Sequence, residues 1–299
     1  MSLELLFLGT GTSAGIPMIG CDCEVCRSDD PHDHRMRSSL LVRYPDAATD
    51  DDAGPPMRQL LIDTAPELRL QAVQHGIDRL DAVLYTHAHA DHIFGIDDLR
   101  RFNAVMNAPL DIHAEPAVLD TLRAMFPYIF ASHKNVNKSF VANLVPHALT
   151  VDEPLNLYGA VWTPIRLMHG RLPILGFRVD YGGRSVAYCT DVSTIPPESL
   201  PLIEGLDVLV IDALRYRHHP THMSIEQALD VIGDARPRQA YFTHIAHDIA
   251  HADLSSRLPE GVALAYDGLH VNVHESISAP PAPRRRSTGA AGHAGTEPH

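Results

Sequence analysis

Residues 84–92 read LYTHAHADH, and His87, His89, Asp91 and His92 fall within six positions of one another. They follow the apolar run DAVLY (81–85), which has the composition of a buried strand. A segment leaving a strand in this way lies on a turn, where alternating side chains can converge. Imidazoles at 87 and 89 can then reach one metal ion while Asp91 and His92 turn toward another. A mixed imidazole and carboxylate set suits Zn, Mn or Fe, with Zn the default. The competing reading is a histidine-rich surface turn. Four ligand-type residues placed directly after a buried strand weigh against it.

Composition bears on the same point. The chain has 299 residues, 20 of them histidine, and a formal net charge of −13. Histidine is the commonest metal ligand. The acidic balance disfavours non-specific nucleic-acid binding, which needs Lys and Arg to displace counterions. No apolar run approaches the ~20 residues of a membrane span. The N-terminal MSLELLFLGTGTSAGIP carries Glu4 and lacks a basic n-region, so it reads as a buried strand rather than a signal peptide. A cytoplasmic protein with reduced thiols is expected.

The pattern predicts strands at 3–8, 38–44, 59–63, 81–85, 109–113, 161–168, 174–180, 184–189, 207–211, 238–242 and 269–273. Helices are predicted at 66–75, 115–125, 224–234 and 252–258, with Ser224 as an N-cap. Many strands with scattered helices imply packed sheets covered by helices rather than a simple alternating parallel fold. Residues 46–58, rich in Asp, Pro and Gly, read as a long hairpin connection. One domain is expected over 1–276. Residues 277–299 have little to bury and read as a disordered tail, with Arg284, Arg285 and Arg286 as a solvated cluster.

A second ligand-type cluster is GCDCEVC. Cys21, Cys23 and Cys26 give C-x-C-x2-C, three soft ligands where structural zinc takes four. Cys189 lies in the apolar run SVAYCT and faces a core. The histidines offer better fourth ligands: His32, His34 or His247.

THAHADH resembles the signature of the metallo-β-lactamase fold superfamily. The resemblance implies an α/β fold, a four-layer αββα sandwich with two metals at one edge. Further ligands there come from loops down the chain, a His, an Asp and a last His. His169 ends VWTPIRLMH, Asp191 follows SVAYCT and His244 follows QAYFT, in that order. The resemblance implies one metal on His87, His89 and His169, another on Asp91, His92 and His244, and Asp191 bridging them. Asp63, in LLIDTAPEL, matches the family's early aspartate, which orients a metal-bound histidine. Zn or Mn would fill both positions, and a bridging water would be acidified to hydroxide.

The stretch GTGTSAGIPMIGCDCEVC is similar to the N-terminus of the PhnP-like phosphoribosyl cyclic phosphodiesterases. That resemblance implies a third, structural Zn on Cys21, Cys23, Cys26 and His247. It also places His222, in RHHPTHMS, as a general acid for the leaving oxygen, with His218 and His219 as nearby alternatives. Asp91 and His222 are the residues assigned catalytic roles. The segments DHIFGIDDLRRFN and DPHDHRMRSS depart from that family's pattern. Arg100, Arg101 and Asn103 then stand either at the pocket mouth, pairing with phosphate, or on a solvated helix face.

The expected function is a metal-dependent phosphodiesterase that opens a small, cyclic phosphate ester with a hydroxide held between two metals. The substrate is a small-molecule phosphate ester, with no membrane partner expected; nucleic acid is disfavoured but left open, as is a homodimer. The alternatives are a nuclease like the tRNA 3′-processing enzymes, a thioester or lactone hydrolase, and a non-catalytic binding module.

Overall fold

The computed structural model describes residues 2–46, 55–131 and 140–273. Among them, fourteen strands form two seven-stranded mixed sheets. The first contains β1 (Leu3–Gly9), β2 (Ser39–Pro45), β3 (Met57–Ile62), β4 (Ala82–Leu84), β5 (Leu110–Ala114), β6 (Leu144–Ala148) and β14 (His270–Val273), in the order β14-β1-β2-β3-β4-β5-β6. The second contains β7 (Leu155–Leu157), β8 (Ala160–His169), β9 (Leu172–Tyr181), β10 (Arg184–Cys189), β11 (Val208–Asp212), β12 (Gln239–Thr243) and β13 (Val262–Leu264), in the order β13-β12-β11-β10-β9-β8-β7.

The apolar runs are continuous rather than alternating because both faces of each sheet are covered. In β1, Leu5 and Phe7 point into the core between the sheets, and Leu6 and Leu8 point to the opposite face. In β11, Val208 and Val210 join the central core, while Leu209 and Ile211 face outward. The outer face of the first sheet is covered by α1 (Leu68–Gln74), α3 (Leu99–Met106) and α4 (Pro116–Met125). That of the second is covered by α6 (Ile225–Ala235) and α7 (His251–Ser255). The result is the four-layer αββα sandwich expected from the sequence.

The eleven predicted strands and four predicted helices all occur, with no end shifted by more than three residues. Ser224 caps α6 in a full capping box with Gln227. The sequence reading lacks β6, β7 and β13. β6 holds Pro146 and is largely exposed, and the other two are three residues long. It also lacks α2 (Ala90–Ile93), α3 and α5 (Pro127–Phe130). In α3 the apolar Leu99, Phe102 and Met106 do recur at helical spacing, under a charged face. β2 and β3 pair antiparallel up to Pro45 opposite Met57, so 46–58 does connect a hairpin. Its residues 47–54 and the tail at 277–299 lie outside the described residues. Among the described residues no helix is long and apolar enough to cross a membrane.

Away from the strand ends discussed below, His113 of β5 lies opposite His147 of β6, their rings stacked at 4.8 Å. Burial, reinforced by His147, lowers the His113 pKa to about 4. An unfolded histidine titrates near 6.5, so between about pH 6.5 and 4 the unfolded chain binds the extra proton. The stability contributed by neutral His113 is therefore full above that window and is lost as pH falls through it. Thermal unfolding of His113→Asn across pH 7 to 4 should show a shallower acid loss than the native chain. Parallel profiles would refute this.

Candidate metal centre and active site

The ligand-type residues gather at strand ends because polar side chains follow apolar strands there. Asp63 follows β3, His87 follows β4, His169 ends β8, Asp191 follows β10 and His244 follows β12. β3 and β4 run parallel, as do β10, β11 and β12, so these carboxyl ends open on one side. Asp63, Asp191 and His244 all have positive φ, at 61°, 56° and 58°. Such backbone is unfavourable for non-glycine residues and persists where its surroundings impose it.

Three groups of donors converge. His87, His89 and His169 form one, Asp91, His92, Asp191 and His244 a second, and His169, Asp191 and His222 a third. Within each group the donor atoms lie within 4.8 Å of one another. The short helix α2 begins just after His89 and carries Asp91 and His92, with the His92 ring centroid 4.2 Å from that of His87. Gly95 fits the segment closely against the strand ends, since a Cβ there would lie 2.2 Å from the Ala65 carbonyl oxygen. Asp191 lies between the groups. Its Oδ1 is 3.2 Å from His92 Nε2 and 3.2 Å from His244 Nδ1, and its Oδ2 is 4.0 Å from His87 Nε2.

Several features fit this set to divalent cations. His87 Nε2 and His92 Nε2 are buried without a hydrogen-bond partner, although carboxylate oxygens stand 3.2–3.3 Å from the latter. Buried nitrogens with neighbours at that range but no bonding geometry are what ligands to a central ion present. The opposite ring nitrogens are held in place. His92 Nδ1 donates to Asp63 Oδ2 at 2.8 Å, and His169 Nδ1 donates to the Thr221 carbonyl at 2.8 Å. Asp63 also accepts from the Thr86 backbone N–H and hydroxyl, both at 2.8 Å, so it orients His92 and the start of the motif together. Burial, with His92 next to it, lowers the His87 pKa far below the usual value, and burial lowers that of His89. Both stay neutral, as ligands must. Burial alone would also depress His92. The carboxylates of Asp191, Asp91 and Asp63 outweigh it and push its pKa well up. A cation competes with that proton for the same carboxylates, so binding weakens as pH falls.

His222 is buried beside this cluster, with ring centroids 4.6 Å from His169 and 4.8 Å from His244. Its Nδ1 is 2.6 Å from Asp212 Oδ2. Burial lowers His222 and raises Asp212, so the contact holds one proton between them. Of the three histidines considered for this position, His218 is exposed and His219 partly so. Asp212 is absent from the sequence reading. Its signal was present: VLVID ends an apolar strand on an aspartate, as LLID does at Asp63. Arg100 pairs with Asp97 on the surface. Asn103 bonds the carbonyls of Ala108 and Asn143, so the phosphate-pairing alternative fails for it.

The cysteine loop folds against the chain just past His244. Cys21 Sγ and Cys23 Sγ are each 3.3 Å from His247 Nδ1, and Cys26 Sγ is 3.8 Å from it. Zn–S and Zn–N bonds of about 2.3 and 2.0–2.1 Å at a tetrahedral angle separate S from N by roughly 3.6 Å. The four donors therefore suit one zinc ion. The backbone N–H of Cys26 donates to Cys23 Sγ and lowers that thiol to about 6, while burial raises Cys26 to about 11. His32 instead contacts Asp30 and Tyr266, and His34 bonds the Ser28 carbonyl. Buried Arg35 ties the loop region together, bonding Asp33 and the carbonyls of Ala246 and Ile249.

The family model of the beta-lactamase superfamily domain matches residues 58–245, from β3 to just past His244. The chain belongs to the metallo-β-lactamase superfamily. A solved relative described as a new diphosphatase from the PhnP family shares 39% identity at a TM-score of 0.79, over 91% of this chain and 97% of that one. An octanoyltransferase of Porphyromonas gingivalis W83 is 38% identical over 275 residues. These are 91% of this chain but 52% of the relative, so the chain spans about half of that protein. A ribonuclease Z of Mycobacterium bovis BCG is 30% identical over 232 residues, 71% of each. The metallo-β-lactamase fold and a divalent-metal site thus rest on both sequence kinship and side-chain geometry.

Proposed function

We propose that this metallo-β-lactamase-fold protein is a metal-dependent phosphodiesterase acting on a small phosphate diester, with cyclic esters as the favoured class. The observation that carries the reading is Asp191, whose two carboxylate oxygens face two separate groups of histidines next to a carboxylate-paired His222. His87, His89 and His169 would hold one cation, and Asp91, His92 and His244 the other, with Asp191 shared. A pair of divalent ions there, Zn or Mn, supplies Lewis acidity toward phosphoryl oxygens and an acidified water. Cys21, Cys23, Cys26 and His247 would hold a structural zinc.

The chain's own residues supply the rest. Asp191 and Asp91 bring negative charge that favours cations over protons in a buried site. Asp63 fixes the His92 ring, and the Thr221 carbonyl fixes that of His169. Asp212 holds His222 by Nδ1, leaving Nε2 as the nitrogen able to give a proton to a departing alkoxide. A cyclic ester would leave as a phosphomonoester with the new hydroxyl still attached. The kinship to a PhnP-family diphosphatase supports phosphorus over carbon as the electrophile, and the net charge of −13 supports a small substrate over a nucleic acid.

The test of the acid is leaving-group dependence. His222→Ala should slow hydrolysis of a methyl or ribosyl diester by about 10²–10⁴-fold. The loss should be far smaller on bis-p-nitrophenyl phosphate, whose leaving group needs no proton. Equal losses on both would remove His222 from the role of acid.

A further inference from the structure

The N-terminal GTGT (9–12) and the distant YDG (266–268) meet across the fold, next to the loop that carries His244. Asp267 makes the junction. Its Oδ1 accepts from the Thr10 backbone N–H at 2.9 Å and from the Thr10 hydroxyl at 2.8 Å, and its Oδ2 accepts from the Met36 backbone N–H at 2.6 Å. All three partners are donors, so both oxygens of the carboxylate are in use. The group is enclosed: loss of water pushes its pKa up to about 7, against the pull of those donors and of Arg35.

Two routes lead from this junction to His244. In the first, the Thr10 carbonyl accepts from the Ile245 backbone N–H at 2.9 Å, and the Ile245 carbonyl accepts from the Thr12 N–H at 3.2 Å. The residue that follows His244 is thereby pinned at both its backbone groups. In the second, the Met36 carbonyl accepts from the Gly11 N–H at 2.8 Å, and the Gly11 carbonyl accepts from the Ser38 hydroxyl at 3.0 Å. Ser38 Oγ lies 3.3 Å from His244 Nδ1. One route fixes the backbone and the other reaches the ring. Glycine at 11 allows the close approach, since a Cβ there would stand 2.8 Å from the Arg35 carbonyl oxygen. His244 holds a φ of 58°, a conformation that its surroundings must impose, and these two routes are such surroundings.

We infer that Asp267 is a positioning residue for the metal centre: through Thr10 and Met36 it sets the backbone and ring of His244, and so tunes the affinity for the cation that His244 would hold. It acts through the GTGT loop rather than by contact with the ligands. The inference rests on the metal-ligand part of the reading above and not on the identity of the ester. Groups that orient a metal ligand from outside are worth about 10–100-fold in metal affinity. Asparagine has the same shape but cannot take the place of Asp267. Whichever way its amide turns, the NH2 group faces an N–H donor.

The 299-residue chain is stripped of metal and titrated with Zn at pH 8 against a chromophoric chelator. Asp267→Asn should weaken one ion by about 10–100-fold while the others stay within about 2-fold of the native chain. Thr10→Ser keeps the hydroxyl and should match the native chain. Asp207→Asn is the control. Asp207 accepts from the Ser185 N–H at 2.9 Å just before β11, at the strand end remote from the metal centre, so its loss should weaken no ion. A second readout needs no metal. In the stripped protein the Ile245 amide should exchange with solvent at least 10-fold faster in Asp267→Asn than in the native chain or Asp207→Asn. Native affinities in Asp267→Asn, losses spread over every ion, or equal losses in Asp207→Asn would overturn the role. These outcomes involve no ester and leave the phosphodiesterase reading standing. A native chain that takes up no ion beyond that of the cysteine loop would overturn that reading and the role together.

Discussion

Asp191→Ala should lose roughly three orders of magnitude in kcat on bis-p-nitrophenyl phosphate, and should retain fewer metal ions at the cluster. The residue is fully buried, and its two oxygens face different histidine groups. No other side chain of the cluster is placed to serve both groups through separate oxygens. Metal-ion stabilisation of transition-state charge is worth several kcal/mol, and each 1.36 kcal/mol is a decade of rate. Loss of the shared ligand thus removes more than loss of a ligand to one group. Initial rates with saturating Zn or Mn, paired with elemental analysis of the purified variant, decide the matter. A rate within 10-fold of the native enzyme would mean that Asp191 is not the shared ligand.

The second large effect concerns stability rather than rate. Cys21→Ser and His247→Ala should each lower the metal content by about one ion and the Tm by roughly 10 °C. The loop joins residues 21–26 to residue 247, more than 220 positions away in the chain, through donor separations of 3.3–3.8 Å. A metal there closes a very long loop and also fixes the backbone two to three residues beyond His244. Structural zinc contributes apparent free energies of about 10–16 kcal/mol where it is the main source of order. In a sandwich with three large apolar clusters, only several kcal/mol should depend on it. At about 2–4 °C per kcal/mol that gives the stated shift. Calorimetry on the two variants checks it, and an unchanged Tm together with unchanged metal content would remove the structural zinc.

The site was readable in outline because its residues obey a local rule. Each of His169, Asp191 and His244 is a polar residue closing or following an apolar strand, and such punctuation is visible in one dimension. The same rule applied to VLVID would have exposed Asp212. Its pairing with His222 was not readable. It depends on the parallel register of β10, β11 and β12, which sets Asp212 level with Thr243, one residue before His244. The resemblance pointed to His222 over His218 and His219; that it alone of the three is buried shows only after folding. Residue type alone left His247 open beside His32 and His34; the resemblance pointed to it, and the return of a distant strand end brings it to the cysteine loop. The positive φ at Asp63, Asp191 and His244 left no mark in residue type, since glycine, the usual signal for that conformation, is displaced by the functional side chain. The missed edge strands β6, β7 and β13 are too short or too exposed to show a hydrophobic period.

The central claim, that two cations held through Asp191 perform phosphodiester hydrolysis, is tested most directly by metal removal and return. The 299-residue chain is stripped with dipicolinate, and bis-p-nitrophenyl phosphate hydrolysis is followed as Zn or Mn is titrated back. Activity should vanish on stripping and recover only as the ions beyond the structural one are restored, reaching its plateau at two equivalents per active site. Undiminished hydrolysis in the stripped protein, or none in the fully reloaded protein, would contradict the account.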